Sequence, residues 1–186
     1  MVLDRKRMAV DDFEDFVDLP QNNDKLFEFI GGEIVEVPSN PYSSKISARI
    51  TVFIGMYLLQ NDIGHLTGEA GGYKVSGERY TPDVAVILYD KQKKLARKGY
   101  NDNPPDLAVE VMSPSDNDDK LRIKITNYLA AGTIVWVVDP DEEVVEVYEL
   151  GKPVRIVEKT GTLTVESILP SFKLAVKDIF PPKEDD

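Results

Sequence analysis

"PPDLAVEVMSPSD", residues 104–116, reads as a buried strand that stops at a turn. Leu107, Ala108, Val109, Val111 and Met112 make a nearly continuous apolar run, the composition of a strand covered on both faces. Ser113, Pro114 and Ser115 then supply turn chemistry. Glu110 sits inside the run. A buried carboxylate is costly unless something pairs with it, so this strand demands a partner charge from elsewhere in the chain.

On either side the pattern repeats. "TPDVAVILYD" (81–90) is a second β-rich apolar run, bounded by Pro82. Residues 117–131 carry apolar side chains at helical spacing and end at Gly132, a helix stop signal. "IVWVVDP" (134–140) is a third buried strand, closed by Asp139-Pro140. "EVVEVYEL" (143–150) alternates, as a half-exposed neighbour reached through a tight turn at Asp141-Glu142. "KPVRIVEKTGTLTVESI" (152–168) is expected to form a β-hairpin, and the acidic tail 181–186 to fray.

Before this block, residues 10–18 form a short acidic amphipathic helix, and "KLFEFIGGEIVEV" (25–37) a hairpin around Gly31-Gly32. Ile46, Ile50, Phe53, Ile54 and Tyr57 recur at helical spacing and place a helix over roughly 43–60. The Gly-rich residues 63–78 are expected to hold one strand near "GYKVS". A block of strands, then a crossover helix leading to one more, implies an α/β (α+β mixed) fold: one domain over 1–186 whose mixed sheet is flanked by helices.

Composition excludes several chemistries. There is no cysteine, hence no disulfide scaffold, thiolate metal site or Cys nucleophile. The one histidine, His65, follows Gly64 in a loop-like region and is a poor base for a Ser-His-Asp mechanism. No apolar run is long enough to span a bilayer and the N-terminus lacks a signal-peptide core, so a soluble cytoplasmic protein is expected. No phosphate-binding glycine motif occurs. The net charge of −11 argues against a polyanion partner. Residues 91–98, "KQKKLARK", run against it with five basic side chains and no acid. They read either as a solvated connecting helix or as a local phosphate contact.

Asp83 opens one apolar strand and Glu110 lies near the end of another. If the strands are antiparallel neighbours, both carboxylates meet at one end of the sheet. Like charges that close repel, and a divalent cation with oxygen ligands, Mg²⁺ or Mn²⁺, resolves the conflict. Taken singly, Asp83 also reads as a strand-start carboxylate and Glu110 as an edge acid. On the helix over 117–131, Leu121, Ile125, Tyr128 and Leu129 make the inward face, and Lys124 falls on the same side. It either joins the carboxylates or snorkels to water, with Lys120, one turn back, as its substitute. Two carboxylates, a lysine and a basic connector tethered between their strands suit phosphodiester hydrolysis, which needs a metal at the phosphate and a cation to offset developing charge.

"TPDVAV", "PPDLAVEVMSPS", "KITNYLAAG" and "VWVVDP", in this order, closely resemble the Uma-type restriction endonuclease family of bacteria, within the PD-(D/E)XK nuclease superfamily. "FEFIGGEIVEVP" looks like that family's opening hairpin. The resemblance, over roughly residues 20–150, implies a restriction-endonuclease-like core with an N-terminal hairpin, often as a homodimer, acting on nucleic acid, DNA first. It implies Asp83, Glu110 and the backbone carbonyl of Val111 as metal ligands, with Glu33 as an auxiliary acid. Met112 stands where the superfamily's plain motif has its lysine; the related family puts the lysine on the next helix, where Lys124 lies. Ser113 and Ser115 match the family's turn. Three functions compete: a Mg²⁺-dependent DNA endonuclease, a catalytically idle binding or assembly module, and a phosphohydrolase for smaller esters.

Overall fold

Strict alternation along the central strands divides the interior into two cores, one on each face of a six-stranded sheet. The computed structural model describes residues 8–37, 40–113 and 117–181. In chain order the elements are α1 (Val10–Val17), β1 (Phe27–Ile30), β2 (Glu33–Glu36), α2 (Pro41–Gln60), β3 (Gly64–Gly68), β4 (Tyr73–Val75), β5 (Glu78–Tyr80) and β6 (Val84–Leu88). Then follow β7 (Leu107–Val111), α3 (Asp118–Ala130), β8 (Ile134–Asp139), β9 (Val144–Tyr148), β10 (Arg155–Val157), β11 (Thr162–Val165) and β12 (Leu169–Ala175).

The main sheet has the order β10-β9-β8-β7-β6-β3, a smaller one β2-β1-β5-β4, and β11 pairs with β12. β7 and β8 are parallel, joined by the α3 crossover; the other pairs of the main sheet are antiparallel. Val84, Val86, Leu107, Val109, Val111, Trp136 and Val138 face α2 and the C-terminal strands. Ala85, Ala108, Val135 and Val137 face α3 and the small sheet, meeting Ile30, Tyr73, Tyr80 and Tyr128. Side chains alternate between faces with period two, so position 110 belongs with Ala108, on the α3 side.

The helices start where their caps dictate. The Asn40 side chain accepts from the backbone of Tyr42 and Ser43, with Pro41 as the first helical residue of α2. The Asn117 side chain does the same for Asp119 and Lys120 of α3, and Gly132 at φ 79 ends that helix. At the first hairpin Gly31 and Gly32 take φ of 61 and 83, a turn that β-branched residues resist. α1 packs Phe13 on Phe29 and Phe16 on Phe27.

Four expectations need correction. Residues 91–98 form no helix but an irregular connector. Residues 63–78 hold most of three strands, β3, β4 and the start of β5, rather than one. His65 lies on β3, where its Nε2 faces the carbonyl of Lys93 at 3.1 Å and its ring meets Tyr89 edge-on. β10 and β11 do not pair with each other: β10 extends the main sheet beside β9, and β11 turns back on β12. Trp136 is fully buried and Asp139 caps the turn to β9 by accepting from Asp141 and Glu142, as its place before Pro140 implied. Residues 182–186 of the acidic tail and Ser115 lie outside the described residues. Among those described, no helix is long and apolar enough to cross a membrane.

Candidate active site

The charge inside β7 has its partner. Lys124 Nζ donates to Glu110 Oε2 at 2.6 Å, and Tyr128 Oη donates to Oε1 at 3.0 Å. Both groups come from α3 because residues 124 and 128 stand one turn apart on one helical face, the face packed against the sheet. Glu110 and Lys124 keep only 8% and 7% of their surface exposed. Burial holds the Glu110 carboxyl well above the ordinary carboxylate range, aided by the charges of Glu28 and Asp83, although Lys124 pulls the other way. For Lys124, burial would favour the neutral amine; the carboxylates of Glu110 and Glu28 outweigh it and hold the ammonium charged.

The antiparallel register of β6 and β7 pairs Val84 with Val109 and Ala85 with Ala108. Continued by one place, it sets Asp83 opposite Glu110. Asp83 Oδ2 accepts from the Val111 N–H at 2.6 Å, which ties the head of β6 to the end of β7. Desolvation raises the Asp83 carboxyl to about 6, against the lowering effects of that hydrogen bond and of Lys124. Asp83, Glu110 and Lys124 thus line one cavity of about 640 Å³, together with Val111 and Ser113.

The hairpin adds an acid the sequence reading passed over. Glu28, on β1 and 6% exposed, accepts from Lys124 Nζ at 2.9 and 3.2 Å and from the backbone N–H of Thr81 at 2.7 Å. Its signal was the one that exposed Glu110: a carboxylate with apolar neighbours on both sides, Phe27 and Phe29-Ile30. Glu33, the hairpin acid expected to assist, is exposed on β2 and pairs with Lys120 at 3.4 Å. Lys120 lines the cavity; Glu33 is not among the lining residues.

The basic connector is placed differently from its expected position beside the carboxylates. β6 and β7 are antiparallel, so their connection leaves and re-enters at the end of the sheet remote from Asp83 and Glu110. No residue of 91–98 lines the main cavity. The chain folds back, however: Arg97 and Lys98 line a second cavity of about 300 Å³ with Gly71 and Gly72, beyond the turn whose Glu69 lines the first.

Around Lys124 stand three carboxylates, Glu28, Asp83 and Glu110. If all ionise, the cluster lacks two positive charges, which is what one divalent cation supplies. Among the described residues no three carboxylate or imidazole side chains form a ready ligand cluster. Mg²⁺ rarely needs one, taking one or two carboxylates and completing its shell with water. Asp83 fits that use: its Oδ1 accepts no hydrogen bond from the described residues, whereas both Glu110 oxygens are engaged by Lys124 and Tyr128. A cation at Asp83 and Glu110 would share Glu110 with Lys124.

No curated protein matches the chain. Among solved structures, a crystal structure described as "a putative nuclease belonging to DUF820 from Anabaena variabilis ATCC 29413" superposes with a TM-score of 0.78 at 24% identity. The match covers 90% of this chain and 96% of that one, a likeness of fold. The sequence matches the Uma2 family, described as "Putative restriction endonuclease", over residues 13–177, and the chain belongs to that family.

Proposed function

We propose that the protein is a metal-dependent endonuclease hydrolysing phosphodiester bonds in DNA. The observation that carries this reading is the convergence of Asp83, Glu110 and Lys124 on one cavity whose carboxylates outnumber its buried lysine. Asp83 and Glu110, with the Val111 carbonyl, would hold Mg²⁺ or Mn²⁺. When bound, such an ion polarises a phosphate oxygen and lowers the pKa of a water. The chain's own groups prepare the rest. The Val111 N–H fixes Asp83, leaving one oxygen directed at ligand chemistry. Tyr128 fixes the rotamer of Glu110. Glu28, anchored on Thr81, is a second carboxylate on Lys124 Nζ and with Glu110 keeps it charged. A fixed ammonium of this kind offsets charge as it builds on phosphorus, with little reorganisation.

The test is nicking of supercoiled plasmid in Mg²⁺ or Mn²⁺ by the protein and by Asp83→Ala and Lys124→Ala. Activity in the parent and loss of at least about a hundredfold in both variants is expected. Equal nicking by all three would place the activity elsewhere. No nicking and no calorimetric metal binding would leave a catalytically idle module. Turnover of small phosphate esters without plasmid cleavage would shift the substrate class.

A further inference from the structure

The connector 89–106 presents an unusual surface on an acidic molecule. Lys93, Lys94, Arg97 and Lys98 are exposed, and among the described residues none of the four makes an ion pair; Lys91 alone is held, by Asp106 at 2.7 Å. The loop that carries them is nevertheless rigidly built. Asn101, 5% exposed, accepts from the Ala96 N–H at 2.8 Å and from the Gln92 side chain at 3.0 Å. Its backbone bonds to Gly72 and Lys74 beside β4. Tyr100 Oη donates to the Phe27 carbonyl at 2.8 Å, its ring so close to Gly72 that a Cβ there would lie 2.5 Å from it. A floppy tail could carry unpaired cations for solubility alone. A braced loop holds Arg97 and Lys98 in the wall of a cavity that no acid lines.

Adjacent residues of the turn 68–72 line the two cavities, Glu69 the larger and Ala70–Gly72 the smaller. The larger, at about 640 Å³, is of small-ligand size. A cavity of that size suits a nucleotide-sized segment, which a strand without its complement can place inside it whole. These four cations without an ion pair all lie on this one connector, and the molecule's charge of −11 opposes wide contact with a polyanion.

We propose that the protein binds single-stranded DNA, with Arg97 and Lys98 gripping backbone phosphates next to the nucleotide held at Asp83 and Glu110. This rests on the nuclease reading for the chemistry at those carboxylates, but strand binding is measured without cleavage. Fluorescence anisotropy of a labelled strand of about 20 nucleotides, in EDTA, is read against salt for the parent, Arg97→Ala/Lys98→Ala, and a control, Lys173→Ala/Lys177→Ala, whose lysines are exposed on the C-terminal segment. The expected result is tighter binding of the strand than of the matching duplex. The connector variant should lose on the order of tenfold in affinity and about 1.4 from the salt slope, while the control keeps both. An equal loss in the control, unchanged binding by the connector variant, duplex preferred over strand, or no binding by the parent would each overturn the proposal. Strand binding that depends on Arg97 and Lys98 in a protein that cuts nothing would uphold it and sink the nuclease reading alone.

Discussion

Lys124 is held by two carboxylates that have few other counter-charges. Its raised basicity keeps the ammonium charged from acid pH up to beyond the ordinary lysine range, while the pairing with Glu110 needs that carboxyl ionised. Replacing it with methionine leaves Glu28 and Glu110 buried without it. A loss of about 3–5 kcal/mol at pH 8 is expected in urea unfolding, shrinking toward pH 5 as Glu110 takes up a proton. Asp83 behaves in the opposite sense. Its carboxyl is raised to about 6 in the folded chain, so the metal-free protein loses stability as pH climbs from about 4 through 6. Asp83→Asn, which can still accept from the Val111 N–H, should therefore be more stable than the parent at pH 8 in EDTA, by on the order of 2 kcal/mol, with no gain at pH 4. At this scale the sequence disclosed Asp83, Glu110 and Lys124, because a charge in an apolar run is anomalous wherever it occurs. It hid Glu28 behind Glu33. Both are acids of one hairpin; Glu28 stands between Phe27 and Phe29, and the pairing of β1 between β2 and β5 buries it.

Lys124 reaches the carboxylates only because α3 starts and stops in the right place. Asn117 caps its first turn through two backbone N–H groups. Asn117→Ala should lower stability by about 1 kcal/mol, a fall of roughly 2–4 °C in Tm for a chain of this size, with a larger proportional loss of plasmid nicking than of stability. The long elements, α2, α3, β6, β7 and β8, were legible because each carries its own period or apolar run. β3 and β5 were not: "GHLTG" and "ERY" have little β-forming character and become strands through the neighbours they pair with. β10 and β11 were recognisable as strands but not in their pairing, and β12 (Leu169–Ala175) lay beyond the expected hairpin. Adjacency in sequence favoured a β10–β11 hairpin; instead β10 pairs with β9 and β11 with β12, and Val157, Leu163 and Val165 all enter one core.

Across the molecule, the cation proposed for the carboxylate-rich cavity would couple folding to its own binding. At a cation concentration about a hundredfold above its dissociation constant, the folded state gains about 2.7 kcal/mol. Mg²⁺ or Mn²⁺ should then raise Tm by roughly 5–10 °C at pH 8 and by much less at pH 5, where Asp83 is protonated; Asp83→Asn should erase most of the pH 8 shift. Differential scanning fluorimetry with and without EDTA reads this directly. The antiparallel return of β6 into β7 has a consequence for how such a protein can diversify. The 18-residue excursion between the two strands begins and ends far from the carboxylates, so its exposed positions can be rewritten, outside the bracing Tyr100, Asn101 and Asp106, while the carboxylates stay in place. On the nuclease reading, substrate preference and bond-breaking would then be separable traits, and chimaeras that exchange this excursion between relatives should inherit the donor's preference with the recipient's turnover.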